Sequence, residues 1–234
     1  MTTTSNADQF PPIGFEAILF DMDGTIINNI YPFAQAKAEI LATLRAHGLD
    51  VPDNIYGSIA NLLEWLKHTQ MGNHTSIRGE VLSILLKYDL ESAGGAKLRR
   101  GVLSLLKWLK IEEYRVGLVS NSSISVVTTV LKSKRVNRFF DVVITREAVD
   151  RMKPYPDMVL LACEKLGVQP SNALVVGDSW VDVEAALAAG ASTVYFNPRN
   201  TKIHLHPTYE IYKITQLPQI LLGRRGALYG KATL

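Results

Sequence analysis

Two aspartates follow the first apolar segment of the sequence, two residues apart. The run Ala17–Phe20 has the composition of a buried strand, and Asp21, Asp23 and Gly24 come directly after it. A strand that is apolar on both faces is typical of a parallel sheet covered by helices on both sides. Because ligands of such sheets lie beyond the carboxyl ends of the strands, the two carboxylates are predicted to enter a binding site.

A hydroxyl, an amide and an amine follow two later apolar runs. Ser120 and Asn121 come after the second run, and these residue types either cap a helix or, together with helix amide groups, bind phosphate. Lys153 comes after the third run and precedes Pro154, which favours an extended backbone at the lysine. A capping role for Ser120 and a solvated surface position for Lys153 are the structural alternatives.

A second pair of acids follows the fourth apolar run. Asp178 and Asp182 are four residues apart and would share one face of a helix that begins there. Acids are favoured at a helix N-terminus, and this preference explains the presence of either Asp178 or Asp182 alone. It does not explain both of them together with Asp21 and Asp23. Carboxylates that meet at one edge of a sheet repel one another unless protons or a cation compensate. Oxygen ligands favour Mg2+ as that cation, and the lysine and hydroxyl would then hold an anion such as phosphate.

The elements that must position these side chains alternate along the chain. Five apolar runs indicate strands, and helical repeats separate the later ones, which predicts βαβ units and an α/β fold with a parallel sheet. The predicted strands are Ala17–Phe20, Arg115–Val119, Val142–Ile144, Leu174–Val176 and Thr193–Phe196.

The long gap between the first two predicted strands indicates an inserted helical module. A crossover needs only a dozen or so residues, and this gap instead contains three helical patterns. They lie near Tyr31–His47, Tyr56–His68 and Arg78–Tyr88. A module hinged beside the acidic pair can close over the site and exclude water. The predicted units are a core of residues 13–27 and 100–223, a cap of residues 28–99, and loose tails at 1–12 and 224–234.

Composition excludes several classes of protein. The chain has 234 residues, a net charge of +3 and 47% hydrophobic residues, which is enough for a sizeable core. No basic stripe typical of a nucleic-acid binder is present. The single Cys163 cannot form an internal disulfide and fits a reducing cytoplasm. No apolar run is long enough to span a bilayer, and the first residues do not form a signal-peptide pattern. We therefore expect a cytoplasmic protein that binds neither nucleic acid nor membrane, while the oligomeric state stays open.

The four polar segments resemble, in order, the motifs of the haloacid dehalogenase superfamily of phosphotransferases. The matching segments are Asp21–Thr25, Ser120-Asn121, Lys153–Asp157 and Gly177–Ala186. The resemblance extends from about Phe15 to Leu222. Within the superfamily, the chain is similar in particular to the phosphoglycolate phosphatase and β-phosphoglucomutase group. It implies a Rossmann-like three-layer core with an inserted helical cap, and metal-dependent hydrolysis of a small phosphorylated metabolite.

The resemblance also implies roles for the catalytic residues. Asp21 would attack phosphorus in line and form an aspartyl-phosphate. Asp23 would protonate the leaving oxygen and then activate the water that hydrolyses the intermediate. Lys153 would neutralise charge on both the nucleophile and the phosphate.

A metal site and a phosphate site are implied in the same way. Mg2+ would let an anionic nucleophile approach an anionic phosphoryl group. The residues implied to bind it are Asp21, Asp23 through its carbonyl, Asp178 and, through water, Asp182. The residues implied to bind phosphate are Ser120, Asn121 and Lys153. Relatives often carry an acid where Asn28 stands and a serine where Asn29 stands, and both departures lie at the predicted hinge.

Other functions use similar residues. A phosphomutase would use Asp21 and Asp23 but return the phosphoryl group to another hydroxyl of the substrate. A dehalogenase attacks carbon and needs neither a metal nor an acid at position 23, so the acids of the last motif disfavour it. A signalling receiver also combines acids, a hydroxyl and a lysine on a parallel sheet, but it needs no helical module after the first strand. A catalytically inactive binding protein is disfavoured because all the catalytic groups are present.

Overall fold

A single parallel sheet forms the centre of the molecule. The computed structural model describes residues 14–29, 31–52, 55, 57–69 and 74–229. The strands are β1 (Ala17–Phe20), β2 (Arg115–Ser120), β3 (Val142–Thr145), β4 (Ala173–Gly177), β5 (Ser192–Phe196) and β6 (Tyr209–Ile211). They lie in the order β3-β2-β1-β4-β5-β6, and every pairing is parallel. The predicted α/β fold with a parallel sheet is confirmed.

The order of the strands determines where a ligand can bind. From β1 the chain proceeds outward through β2 to β3, and it then returns across β1 to β4 and proceeds outward on the other side. Phe20, the last residue of β1, pairs with Leu118 on one side and Val176 on the other. The strand order therefore reverses between β1 and β4, and the carboxyl ends of strands at such a reversal border the ligand crevice.

Helices cover both faces of the sheet. They are α1 (Phe33–Ala46), α2 (Ile59–His68), α3 (His74–Gly94), α4 (Val102–Ile111), α5 (Ile124–Ser133), α6 (Asp157–Leu166), α7 (Trp180–Ala188) and α8 (Leu217–Tyr229). Alternate residues of β1 divide between two buried clusters. Ile18 and Phe20 pack with α4 and α5, whereas Ala17 and Leu19 share a cluster with α6 and α7. This alternation follows from the period of two in a strand and gives the core three layers.

The described part of residues 28–99 is mainly helical, as predicted. Helices α1, α2 and α3 form it, and they contribute apolar residues such as Ile40, Leu62 and Val81 to the cluster shared with Leu19. Helix α3 is longer than its predicted counterpart at both ends. None of the described helices is both long and apolar enough to cross a membrane.

Two elements differ from the sequence-based expectation. Strand β6 has three residues at the sheet edge and lacks the apolar run that marked the other strands. Helix α8 extends to Tyr229, beyond the start of the tail predicted from residue 224. The predicted tail at residues 1–12 lies outside the described residues.

Candidate active site

Lys153 joins two acids from opposite ends of the chain. Its ammonium Nζ lies 2.7 Å from Asp21 Oδ1 and 2.6 Å from Asp182 Oδ1. It also donates to the carbonyl of Val119 at 2.8 Å. The Lys153 side chain is 2% exposed, so the surface position considered from the sequence is wrong. The burial of this ammonium is compensated by the acids that surround it.

Asn121 holds the backbone of Lys153 in place. The side-chain amide donates to the Lys153 carbonyl at 2.9 Å, and its oxygen accepts the Lys153 N–H at 3.0 Å. These two bonds tie the end of β2 to the loop before α6. They explain why an amide is suited to this position, since it offers one donor and one acceptor side by side.

Asp23 has both carboxylate oxygens engaged. Asn29 donates its amide to Oδ1 at 2.6 Å, and Ser122 donates its hydroxyl to Oδ2 at 2.7 Å. The same Asn29 amide also contacts Ser92 of α3 at 2.5 Å, while its oxygen accepts the Gly24 N–H at 3.1 Å. Asn29 therefore connects the cap helix α3 to the acid Asp23, and in the sequence it is distinguished only as a departure from the family pattern.

The two acids after β4 are built into the start of α7. Asp182 Oδ2 accepts from both the backbone N–H and the hydroxyl of Ser179, which forms a capping box. Two glycines make room for the acids. Gly24 has φ of +81° and a Cβ there would collide with Asp178, while a Cβ at Gly177 would collide with Asp182. Only glycine accepts both the left-handed backbone and the close approach at position 24.

Three carboxylates lie close enough to share a cation. Asp21, Asp178 and Asp182 each offer one oxygen, and these atoms lie within 4.8 Å of one another. Burial raises the pKa of the Asp178 carboxyl to about 7, with Asp182 adding to the effect and Arg199 opposing it. Burial also raises the pKa of Asp21 well above its usual range, against the opposing effect of Lys153. Ionised carboxylates repel one another when they are crowded together in a buried place. A hard cation with oxygen ligands, such as Mg2+, would offset that repulsion.

Ser120 occupies a different environment from the one expected for a phosphate ligand. It is fully buried, and its hydroxyl accepts the Ser122 N–H at 3.1 Å. Ser122, two residues later, lines the cavity beside Asp23. The side chain that caps α5 is that of Ser123. The capping role considered for Ser120 is therefore filled by Ser123.

A cavity of about 380 Å³ lies over these residues. Its core side includes Asp21, Asp23, Lys153 and Asp178. Its cap side is contributed by the residues Tyr31, Phe33, Gly57, Ser58, Ile59, Ala60, Leu85 and Asp89. Four basic residues of the cap helices α2 and α3 do not line this cavity. They are Lys67, His68, Arg78 and Lys87.

A buried ion pair connects the cap to the core beside the cavity. Asp89 of α3 accepts from the Arg146 guanidinium at 2.7 Å and from the Ser123 N–H at 3.0 Å. Both side chains are less than one-tenth exposed, and both line the cavity. This pair was not predicted from the sequence. Arg146 directly follows β3, and functional residues follow other strands of the sheet in the same way. That position was the signal available in the sequence.

Two further arginines lie behind and beside the acids. Arg99 donates to the carbonyls of Gly24 and Thr25 and packs over the Phe196 ring. It thereby supports the turn that follows Asp23. Arg199 lies 3.2 Å from Asp178 Oδ2 at the cavity wall.

Comparisons with known proteins identify several similar phosphatases. Phosphoglycolate phosphatase from Aquifex aeolicus is 31% identical over 183 residues, which cover 75% of this chain and 82% of that protein. Phosphoglycolate phosphatase 1 from Pseudomonas aeruginosa is 28% identical over 74% of this chain, and the alignment spans 66% of that protein. The crystal structure of a HAD phosphatase from Thermococcus onnurineus has a TM-score of 0.58 and 26% identity, with 88% of this chain and 97% of that chain covered.

A family model covers most of the residues described above. The model of the haloacid dehalogenase-like hydrolases matches residues 15–190, which include all four polar segments from Asp21 to Asp182. This match extends over more than half of the chain and confirms the resemblance inferred from the motifs. The chain therefore belongs to the haloacid dehalogenase-like hydrolase family.

Proposed function

We propose that the protein is a Mg2+-dependent phosphatase that hydrolyses a small phosphomonoester through an aspartyl-phosphate on Asp21. The observation that carries this proposal is the arrangement of Asp21 at the cavity, with Lys153 on one oxygen and two further carboxylates within 4.8 Å. A hydrolase that attacked carbon would need neither the extra acids nor a cation. The names of the Aquifex and Pseudomonas relatives support phosphate ester hydrolysis.

Asp21 is the nucleophile in this mechanism. One of its oxygens accepts from Lys153, so the other oxygen is the one to attack phosphorus. The bond from phosphorus to the leaving oxygen breaks as the bond to the Asp21 oxygen forms. The lysine reduces the negative charge on the nucleophile and on the phosphoryl group, which would otherwise repel each other.

Asp23 supplies and removes the proton. An amide N–H can only donate, so the Oδ1 atom that accepts from Asn29 does not carry a proton. When Asp23 acts as the general acid, its proton lies on Oδ2, and the Ser122 hydroxyl, which donates to Oδ2 in this structure, turns to accept it. Oδ2 gives its proton to the leaving oxygen and later takes one from the water that attacks the aspartyl-phosphate.

The residues that would hold Mg2+ are Asp21, Asp178 and the Asp23 carbonyl, with Asp182 behind them. When bound, the cation offsets the charge that accumulates as an anionic nucleophile approaches an anionic phosphoryl group. Asp182 is fixed by Lys153 and Ser179, so we assign it to supporting the arrangement of the other acids. Asn121 acts on the phosphate site by fixing the position of Lys153.

The cavity favours a small substrate. Its volume of about 380 Å³ is at the lower end of the range for small-molecule sites, and the cap supplies mainly small and apolar groups to it. We propose a small phosphorylated metabolite as the substrate, with 2-phosphoglycolate as the first compound to test because two relatives carry that activity in their names.

Phosphate release across a panel of phosphorylated metabolites tests this proposal. We expect release that requires Mg2+, is lost in EDTA, and falls by at least about 100-fold in Asp21→Asn. Formation of an isomeric sugar phosphate without free phosphate would instead indicate a phosphomutase. Unchanged activity in Asp21→Asn would overturn the assignment of the nucleophile.

A further inference from the structure

Arg199 contacts Asp178, whereas Lys153 contacts the other two acids of the cluster, Asp21 and Asp182. Its guanidinium nitrogen is 3.2 Å from Asp178 Oδ2, and its side chain lines the same cavity as Asp21. Unlike Lys153, it is 57% exposed, whereas the Asp178 side chain is 12% exposed. An ion pair this open to water is weak, so a cation with a higher charge can displace the arginine from Asp178.

The loop that presents Arg199 is held at both ends. Asn197 is buried at the end of β5, and its side chain donates to the Thr201 carbonyl and accepts the Thr201 N–H, both at 2.8 Å. The Asn197 amide also donates to Glu210 at 2.6 Å, and the Tyr195 hydroxyl contacts the Thr201 hydroxyl at 2.7 Å. The loop backbone is therefore fixed, and only the long side chain of Arg199 needs to move between partners.

We propose that Arg199 alternates between Asp178 and an anionic group on the leaving part of the substrate. Without metal, the guanidinium pairs with Asp178. Metal binding to Asp178 releases Arg199, which then contacts the substrate at the mouth of the cavity. The planar guanidinium is suited to this exchange because it pairs with carboxylates and phosphates through two parallel N–H groups. This inference rests on the proposed phosphatase function and assigns a substrate class to it, namely phosphomonoesters with a second anionic group.

Metal affinity tests the first half of the exchange without any activity measurement. Isothermal titration with Mg2+ alone should show that Arg199→Met binds the metal about fivefold more tightly than the wild type, because the competing cation is gone. Lys202→Met is the matched control, since it removes an exposed cation from the same segment without a contact to Asp178. Its affinity should stay within about twofold. Unchanged or weaker binding in Arg199→Met, or an equal gain in Lys202→Met, would overturn the exchange.

Substrate selectivity at saturating Mg2+ tests the second half. For 2-phosphoglycolate, which carries a carboxylate, Arg199→Met should lower kcat/KM about tenfold, mainly through KM. For phenyl phosphate, which has no second anion, the change should stay within about twofold. Equal losses on both esters, or no preference of the wild type for the carboxylate ester, would overturn the substrate class. If the wild type releases phosphate from no ester, the proposed function fails, and the metal titration still decides whether Arg199 competes for Asp178.

Discussion

Lys153 and Asp21 form an ion pair of 2.7 Å in the protein interior. Burial alone would lower the pKa of the Lys153 ammonium, but Asp182 and Asp21 outweigh it and raise that pKa above its ordinary value. The lysine is therefore a permanent cation at the nucleophile. It also holds Asp182, so one ammonium connects the end of β1 and the start of α7 to the loop before α6.

Replacement of this lysine should affect both activity and stability. In Lys153→Met, we expect phosphate release to fall by about 100-fold or more, because the nucleophile and the phosphate lose their shared cation. Without metal, the free energy of unfolding should fall by about 3 kcal/mol, since a buried acid loses its partner. Urea unfolding with and without Mg2+ measures this, and Mg2+ should recover part of the loss. The exposed Lys107→Met is the control, and near-wild-type activity in Lys153→Met would contradict the account.

The acids of the cluster predict how stability depends on pH. The pKa of Asp178 is raised to about 7 by burial and by Asp182, so the folded chain retains a proton that the unfolded chain has released at lower pH. The stability of the metal-free protein should therefore fall as the pH rises from about 4 to about 7 and should level off above that. Asp21, whose pKa is also raised, acts in the same direction.

Thermal unfolding in EDTA and in Mg2+ between about pH 5 and pH 8 measures this dependence. The stabilisation by Mg2+ should grow with pH across the same window, because the metal binds the ionised carboxylate. Asp178→Asn should flatten both trends. If Asp178 instead made the metal-free protein more stable as the pH rises through this window, the raised pKa assigned to Asp178 would be contradicted.

Asn29 should position the acid Asp23. In Asn29→Ala, Asp23 loses the amide that holds Oδ1, and the connection to Ser92 on α3 is also lost. We expect kcat to fall about tenfold with a smaller change in KM, since the substrate pocket is otherwise intact. Asn28→Ala is the matched control because Asn28 is the exposed neighbouring asparagine, and its activity should stay within about twofold. Equal effects of the two substitutions would argue against a positioning role.

Gly24 should tolerate no side chain. Gly24→Ala combines a left-handed backbone with a collision against Asp178, whereas Gly48→Ala has a similar φ of +73° and open space around it. The Gly48 variant should lose about 1 kcal/mol, which is the cost of the backbone conformation alone. The Gly24 variant should lose more and should bind Mg2+ more weakly, as chemical unfolding and titration would show. Equal destabilisation of the two would mean that the contact with Asp178 is unimportant.

The sequence predicted the parts of the site that depend on local pattern and on sheet topology. Five apolar runs correspond to β1 to β5 within about one residue, since a buried strand leaves a continuous apolar signal. The polar residues after those runs meet because parallel strands end at one edge of the sheet. Strand β6 was not predicted, because a short, half-exposed edge strand needs no continuous apolar run.

The contacts that orient the catalytic side chains could not be predicted in the same way. Ser122 and Asp23 are 99 positions apart, and Asp89 and Arg146 are 57 apart, so no local periodicity links either pair. Arg199 contacts Asp178 from the loop after β5, whose backbone is held by Asn197. Such contacts follow from the packing of the helical cap and the late loops, which a single sequence does not specify.

Direct detection of a phosphorylated Asp21 tests the central claim. Asp23→Asn should slow the hydrolysis of the intermediate, so rapid quenching during turnover, borohydride reduction and peptide mass spectrometry should find residue 21 converted to homoserine. The same treatment of Asp21→Asn should find no modified residue. Phosphate release by the wild type without any modified Asp21, or with the modification on another residue, would contradict the proposed mechanism.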